Sequence, residues 1–295
     1  MRRAGIGEDT NDRGRQVRVL ITFPQERTPR SALMLYSALE KLGAGVRLMS
    51  LMDVSCDDFA KYDVVLMRGL PYHIDIVSFN SLVTCTKGSL VINDPMSSLL
   101  ARDKFSSMKV LEEYGVPVPK TFLVKSRKEL VEVVSELGEA IIKPLSSSLG
   151  IGVELVTEDS VNYFVNKFPF RFEAVVQEHL EKVRDVRVLV IGNKAVGAMY
   201  RISPFSIATN YSKGAEVEPA PLEPYAELAI EAVRALGLEY GGVDLIETPE
   251  GPKVIEVNPS PLWLGLSKVT KRDITSIIAE YVISRAYEVK SGSEV

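Results

Sequence analysis

At 295 residues the chain is longer than one hydrophobic core usually organises, so two or three packed units are expected. Its 46% hydrophobic and 25% charged residues exclude a collagen-like or disordered composition, and no apolar run reaches bilayer length. A formal net charge of −4 gives no overall pull toward nucleic acid or an anionic membrane, so neither is expected as a partner, although local basic clusters can still hold phosphates.

Residues 1–16 mix Arg2, Arg3, Arg13 and Arg15 with Glu8, Asp9 and Asp12, without the apolar stretch of a signal peptide. They read as a flexible tail, and the cytoplasm is the expected location. Val17 to Phe23 is a strand, and Ser31 to Leu42 keeps leucines at helical spacing before Gly43. Strands follow at Val46–Met49, Tyr62–Arg68 and Leu90–Asn93. Strands alternating with helices predict a parallel, Rossmann-like sheet over residues 17–98. Cys56 and Cys85 are expected as unpaired core fillers in a reducing compartment. With His73 and His179 the sole histidines, a histidine metal site is not expected.

A second unit is assigned to residues 99–179. Asp103 to Tyr114 reads as a helix that stops at Gly115. A strand (Thr121–Val124), a helix (Lys128–Leu137) and a strand (Ala140–Pro144) follow. Ser146, Ser147, Ser148, Gly150 and Gly152 form a Ser/Gly loop before the strand resumes at Val153. A third unit, residues 180–288, holds strands Val186–Ile191 and Ala195–Arg201 turned by Asn193-Lys194, a helix Pro224–Leu236 and a closing helix Asp273–Ala286. Residues 289–295 read as a second flexible tail.

Between those helices lies a hairpin, Gly242–Glu247 and Lys253–Asn258, turned by Thr248-Pro249-Glu250-Gly251. Alternation puts Glu256 and Asn258 on one face, with Asp244 opposite Glu256 when the turn centres near Glu250. Facing carboxylates repel unless a cation lies between them. Such oxygen donors suit magnesium beside a phosphate substrate; a solvated edge hairpin would show the same letters. Lys143, ending an apolar strand before the Ser/Gly loop, offers a charge and exposed N–H groups to a phosphate. Lys104 sits near a helix start, where a cation is disfavoured unless an anion is near. Gln177-Glu178-His179-Leu180-Glu181 leaves an apolar strand as a connecting segment fit for an adenine, with Glu181 within reach of a ribose. Asp185 and Arg187 share a strand face beside Arg201, as either a surface ion pair or a clamp on phosphoryl oxygens. Asn210 and Lys213 lie in the loop that follows.

Taken in this order, the chain resembles the ATP-grasp superfamily and, within it, the RimK-type carboxylate–amine ligases, the alpha-L-glutamate ligases included. The carriers are Asp103-Lys104, Gly115–Thr121, Ile142–Leu145 with Gly150-Ile151-Gly152, Val176–His179, Asp185-Val186-Arg187, Tyr200-Arg201, Asn210 with Lys213-Gly214, Gly242-Val243-Asp244 and Glu256–Pro261. They span about residues 90 to 285, and residues 17–98 look like the family's pre-ATP-grasp domain. The resemblance implies an α/β and α+β chain in which that parallel sheet precedes a two-subdomain ATP-grasp fold. It further implies ATP held by Lys104, Lys143, the Ser/Gly loop, Glu178, His179, Leu180, Glu181, Asp185, Asn210 and Lys213. Asp244, Glu256 and Asn258 would hold one or two magnesium or manganese ions, and Arg187 and Arg201 would stabilise an acyl phosphate. The chemistry implied is phosphorylation of a carboxylate followed by amide formation with an amino acid, glutamate first. The alternatives are a small-molecule kinase and a regulatory nucleotide-binding module.

Ala208 stands where relatives often carry Arg, Gly214-Ala215 where they pair glycines, and Leu262-Trp263 where many have Gly. Met199–Ser203 is also similar to the LysX branch, which implies a carrier protein, and Pro261-Leu262-Trp263 is similar to archaeal enzymes that glutamylate pteridine or deazaflavin cofactors. The family's habit of dimers and tetramers implies a homo-oligomer.

Overall fold

A computed structural model describes residues 16–24, 27–144, 153–167, 173–202 and 216–292. The first unit contains β1 (Arg18–Phe23), α1 (Arg30–Lys41), β2 (Gly45–Ser50), α2 (Cys56–Phe59), β3 (Val64–Met67), α3 (Ile76–Thr86) and β4 (Val91–Ile92). Its strands form a parallel sheet in the order β2-β1-β3-β4, as the alternation of elements predicts. The chain then runs through α4 (Pro95–Arg102), α5 (Ser106–Glu113), β5 (Thr121–Val124), α6 (Arg127–Leu137), β6 (Glu139–Pro144), β7 (Glu154–Thr157), α7 (Glu158–Lys167) and β8 (Ala174–Glu178). These strands make an antiparallel sheet ordered β5-β8-β6-β7, in which β6 and β7 pair across the Ser/Gly segment. The last sheet, β11-β10-β9-β12-β13, contains β9 (Arg184–Ile191), β10 (Lys194–Ile202), β11 (Glu216–Ala220), β12 (Tyr240–Thr248) and β13 (Gly251–Asn258). Helices α8 (Ala226–Ala235), α9 (Leu264–Thr270) and α10 (Ile274–Lys290) complete the fold.

The sequence reading gives no helix at α2, α3, α4, α7 or α9, and it misplaces an end of α5 and of α10. Helix α3 is absent from it because Ile76 and Val77 are exposed and blur the apolar stripe; the signal was the cap, where Asp75 accepts from Val77 and Ser78 N–H. In place of one helix from Asp103, α4 ends at Arg102 and α5 begins at Ser106, because the Asp103 carboxylate accepts from Phe105 and Ser106 N–H and restarts the helix. Helix α10 runs to Lys290, four residues past its expected end at Ala286 and into the expected tail. Cys56 and Cys85 are joined as a disulfide between α2 and α3, which corrects the expectation of unpaired cysteines. Nor is Cys56 a core filler: at the first turn of α2 it is exposed. No helix among the described residues is long and apolar enough to cross a membrane.

The last sheet is buried on both faces, and its alternation sorts side chains between two cores. Val186, Val188 and Val190 of β9, with Val243 and Leu245 of β12, face α5 and α8. Ala101, Met108 and Leu111 enter this same core, so α4 and α5 pack on the last sheet. Leu189, Ile191, Met199 and Tyr240 point the other way, toward α9, α10 and α1. That second core continues into Val19, Ile21, Val64 and Leu66 of the first sheet. Toward the start of β9 the apolar series on this face gives way to Arg187, and in β12 Tyr240 gives way to Gly242 and Asp244. The core ends there and a charged surface begins.

Because the first helix and the last share one core, a cavity there should weaken the fold as a whole. Leu39→Ala, at a fully buried position of α1, should cost about 2–5 kcal/mol. Urea unfolding followed by circular dichroism should show one transition at a lower midpoint; a separate early transition would reject the shared core.

Candidate active site

The hairpin register is the one the spacing predicts: Asp244 pairs with Glu256 and Gly242 with Asn258, with a bulge between Asp244 and Leu245. Asp244 is also in register with Arg187 on β9, and Arg187 with Met199 on β10, two residues before Arg201. Arg187 donates from Nε to Asp244 Oδ1 at 2.5 Å and from Nη2 to Oδ2 at 2.7 Å. Arg201 Nη1 lies 3.2 Å from Oδ2, and the Arg201 and Asp244 side chains are each 4% exposed. Burial opposes ionisation of Asp244, but the Arg187 and Arg201 guanidiniums outweigh it and hold the carboxyl below its ordinary range. Crowding by protein works against the Arg187 cation, and Asp244 with Glu256 more than restores it, so its net shift is upward.

Glu256 is exposed, and three cations from separate elements feel its charge. Lys104 lies in the break between α4 and α5, Lys143 on β6 and Arg187 on β9. Burial lowers the Lys104 ammonium, with Glu256 and Asp103 opposing it. Burial lowers Lys143 further, to about 8; Glu256 opposes the fall and Lys104 adds to it. Lys143 Nζ donates to Gln177 Oε1, Gln177 Nε2 donates to Thr121 Oγ1 at 3.0 Å, and Thr121 donates to the Pro119 carbonyl at 2.8 Å. This relay from β5 through β8 aims the lysine. The sequence reading placed Gln177 only at the head of the connecting segment and gave it no part in holding Lys143; a buried polar residue at the end of an apolar strand was the available signal.

Other expected residues have different partners. Glu178 accepts from Lys253 Nζ at 2.7 Å, bridging the central sheet and the last one. The Glu178 N–H donates to the Lys120 carbonyl and the His179 N–H to the Glu139 carbonyl, so the backbone donor expected at His179 is already used inside the sheet. The exposed His179 ring contacts Glu139 Oε2 at 2.9 Å. Leu180 is half-buried and Glu181 exposed just beyond. Asp185 is buried and accepts from Lys182 Nζ at 3.0 Å. Asn258 is half-buried, with Oδ1 accepting from the Ser260 N–H at 2.8 Å. Ser146, Ser147, Ser148, Gly150, Gly152, Asn210 and Lys213 lie outside the described residues.

Among the described residues no group of three or more His, Cys, Asp or Glu is placed to hold a metal. The candidate set is instead two facing carboxylates and an amide oxygen. Its chemistry fits a hard cation: Asp244 is held ionised, and Glu256 stands across from it. A carboxylate has about four lone-pair directions, and guanidinium N–H groups take three on Asp244. A metal would gain Asp244 fully only if an arginine gave way.

Fold and site together define an ATP-grasp ligase. A family model described as a RimK-like ATP-grasp domain matches residues 101–282, and the chain belongs to that family. The tetrahydromethanopterin:alpha-L-glutamate ligase of Methanocaldococcus jannaschii is 36% identical over 203 residues, covering 65% of this chain and 70% of the relative. A probable alpha-L-glutamate ligase of Coxiella burnetii is 32% identical over 247 residues, covering 80% and 81%. Among solved structures, ATP-grasp ligase PsnB, complexed with a phosphomimetic variant of its minimal precursor, magnesium and ADP, superposes with a TM-score of 0.70 at 17% identity, covering 92% of this chain and 98% of that one. The architecture is thus the expected parallel sheet followed by an ATP-grasp fold, and the chain is an ATP-dependent carboxylate–amine ligase.

The depressed lysine gives a test of the site's electrostatics. In protein without nucleotide, folded Lys143 sheds its proton near pH 8, whereas an unfolded lysine keeps it to about 10.5. Between those values the unfolded chain binds more protons, so this group makes stability rise with pH. Melts taken on either side of about pH 8 should show wild type gaining on Lys143→Met as pH increases. A gap independent of pH would show that Lys143 is not desolvated.

Proposed function

We propose that the chain adds L-glutamate, or a closely similar amino acid, to a carboxylate of a cofactor, small molecule or protein, with a reduced pterin of the kind named for the archaeal relative as the first acid to try. The observation that carries this reading is the Asp244 carboxylate clamped by Arg187 and Arg201 in register with Glu256, whose charge is felt by Lys104, Lys143 and Arg187. Lys104, Lys143, Arg187 and Arg201 outnumber Asp244, Glu256 and Asp103, and the excess of positive charge suits a polyphosphate.

In this reading Lys104 and Lys143 hold the ATP phosphates, and the Gln177 relay keeps Lys143 directed at them. Leu180 and Glu181 border the adenine and ribose, since the His179 N–H is engaged by Glu139. Asp244, Glu256 and Asn258 are the residues that would hold magnesium or manganese. When bound, the metal would supply positive charge to offset that of the phosphates. An oxygen of the acid attacks the γ-phosphorus, the bond to the β-bridging oxygen breaks, and ADP leaves. The amine lone pair then attacks the acyl carbon, phosphate departs with the C–O electrons, and the amine gives up a proton. Arg187 and Arg201 lie beside Asp244 with donors in a fork geometry, suited to the acyl phosphate and to the oxyanion of the tetrahedral intermediate. The reaction consumes ATP, so the cytoplasm is the proposed compartment. A carrier protein presenting the acid and a homo-oligomeric assembly remain part of this proposal.

The deciding experiment is ADP release across paired acids and amino acids, tetrahydromethanopterin with glutamate first, with product masses recorded. Release that needs both partners, and a mass gain of one or more amino-acid residues, is expected. Release with the acid alone and a stable phosphorylated product would replace the ligase with a kinase. Glu256→Gln should lose at least about a hundredfold in turnover while melting as wild type does; unchanged turnover would remove Glu256 from the metal site.

A further inference from the structure

Arg68 follows the last residue of β3 at the end of the parallel sheet, and it is 6% exposed. No carboxylate pairs with it among the described residues. Its guanidinium lies 4.8 Å from the ring centroid of Trp263 and 5.7 Å from that of Tyr240. Nη1 donates to the Tyr240 hydroxyl and Nη2 to the Pro261 carbonyl at 3.0 Å. A buried cation without a counterion is costly unless rings and oxygens replace its water, and here they belong to β12 and the segment after β13. Asn93, just past β4, acts beside it. Its Nδ2 donates to the Tyr240 and Pro259 carbonyls at 2.7 and 2.8 Å, and its Oδ1 accepts from Glu239 and Tyr240 N–H.

The segment so gripped, Pro259 to Trp263, folds back over the reaction face. A Cβ built on Gly242 would lie 2.8 Å from Pro261 Cβ and 3.8 Å from Arg187 Nε, so Pro261 covers the sheet on the side that carries Arg187 and Asp244. Ser260 rests on Gly69, whose φ of +95° favours glycine. Its N–H is the group that fixes Asn258 Oδ1. Trp263 is buried and donates from Nε1 to Thr275 Oγ1 at 2.8 Å, while Leu262 points outward.

We propose that Arg68, supported by Asn93, is a positioning residue for the ligase site. From the first sheet it sets the 259–263 segment, and through Ser260 it orients Asn258 at the metal end of β13. The first sheet is then a working wall of the acceptor side of the site. The inference rests on the ligase reading for its purpose and on the contacts of Arg68 for its substance.

Trp263 is the chain's sole tryptophan, so emission excited beyond the absorption of tyrosine reports on the gripped segment alone. The test compares wild type with Arg68→Lys, which keeps a cation without the fork, and with Tyr240→Phe, which deletes one hydroxyl. Acrylamide quenching of Trp263 should rise about twofold in Arg68→Lys and less in Tyr240→Phe, as the segment opens more often. Binding of manganese alone, followed by electron paramagnetic resonance, should weaken about fivefold in Arg68→Lys, in proportion to the rise in quenching. A merely structural role would lower the melting temperature and leave manganese affinity and quenching of the folded protein unchanged. That result in both variants would overturn the proposal. Wild-type protein that binds no manganese would overturn the assignment of the metal to Asp244, Glu256 and Asn258 instead, and the quenching comparison would then decide whether Arg68 holds the segment.

Discussion

The Asp244 carboxylate is the point on which the site depends. It is almost wholly buried, and it stays ionised because Arg187 and Arg201 reach it from two neighbouring strands. Removing one member of such a group leaves an unpaired charge in a dry place, at a cost of several kcal/mol. The three residues therefore fix one another, and they fix the end of the last sheet. They also set up a competition, since the oxygens that suit a divalent cation are those the arginines occupy. An arginine displaced from Asp244 would be left with free donors on that face of the sheet.

Alternation in a sheet buried on both sides explains how that charged end arises. One side-chain series on β9 runs Ile191, Leu189, Arg187, and the corresponding series on β12 runs Tyr240, Gly242, Asp244. Both begin inside the core shared with α1 and α10 and end at the site. The charged residues thus stand on strands whose other residues are locked in packing, so they inherit the rigidity of the core. Gly242 marks the change: with no side chain, it lets Pro261 lie against the strand.

What the sequence made legible was local. The Asp244–Glu256 register followed from period-two alternation and a four-residue turn, and the parallel order of the first sheet from alternating elements. The paired lysines and arginines were visible as cations at element ends. Arg68 and Asn93 were not, because their partners lie 146 to 193 residues away and nothing in the neighbouring strands marks them. The Cys56–Cys85 pair was missed for the same reason, since two cysteines on separate helices carry no spacing signal. The relay through Gln177 needed the pairing of β8 with β5 and β6 before it could be read.

The packing of α1 against α10 joins the beginning of the chain to its end. During synthesis the first sheet emerges long before the helix that covers it. Until residues 274–290 leave the ribosome, the apolar face made by Leu35, Leu39, Val19 and Ile21 lacks part of its cover. Folding to completion is then a late event that closes sequence separations of more than two hundred residues. A nascent chain of this kind has greatest need of a chaperone until α10 emerges, and a product cut short before α10 would be marked for disposal by the surface it exposes.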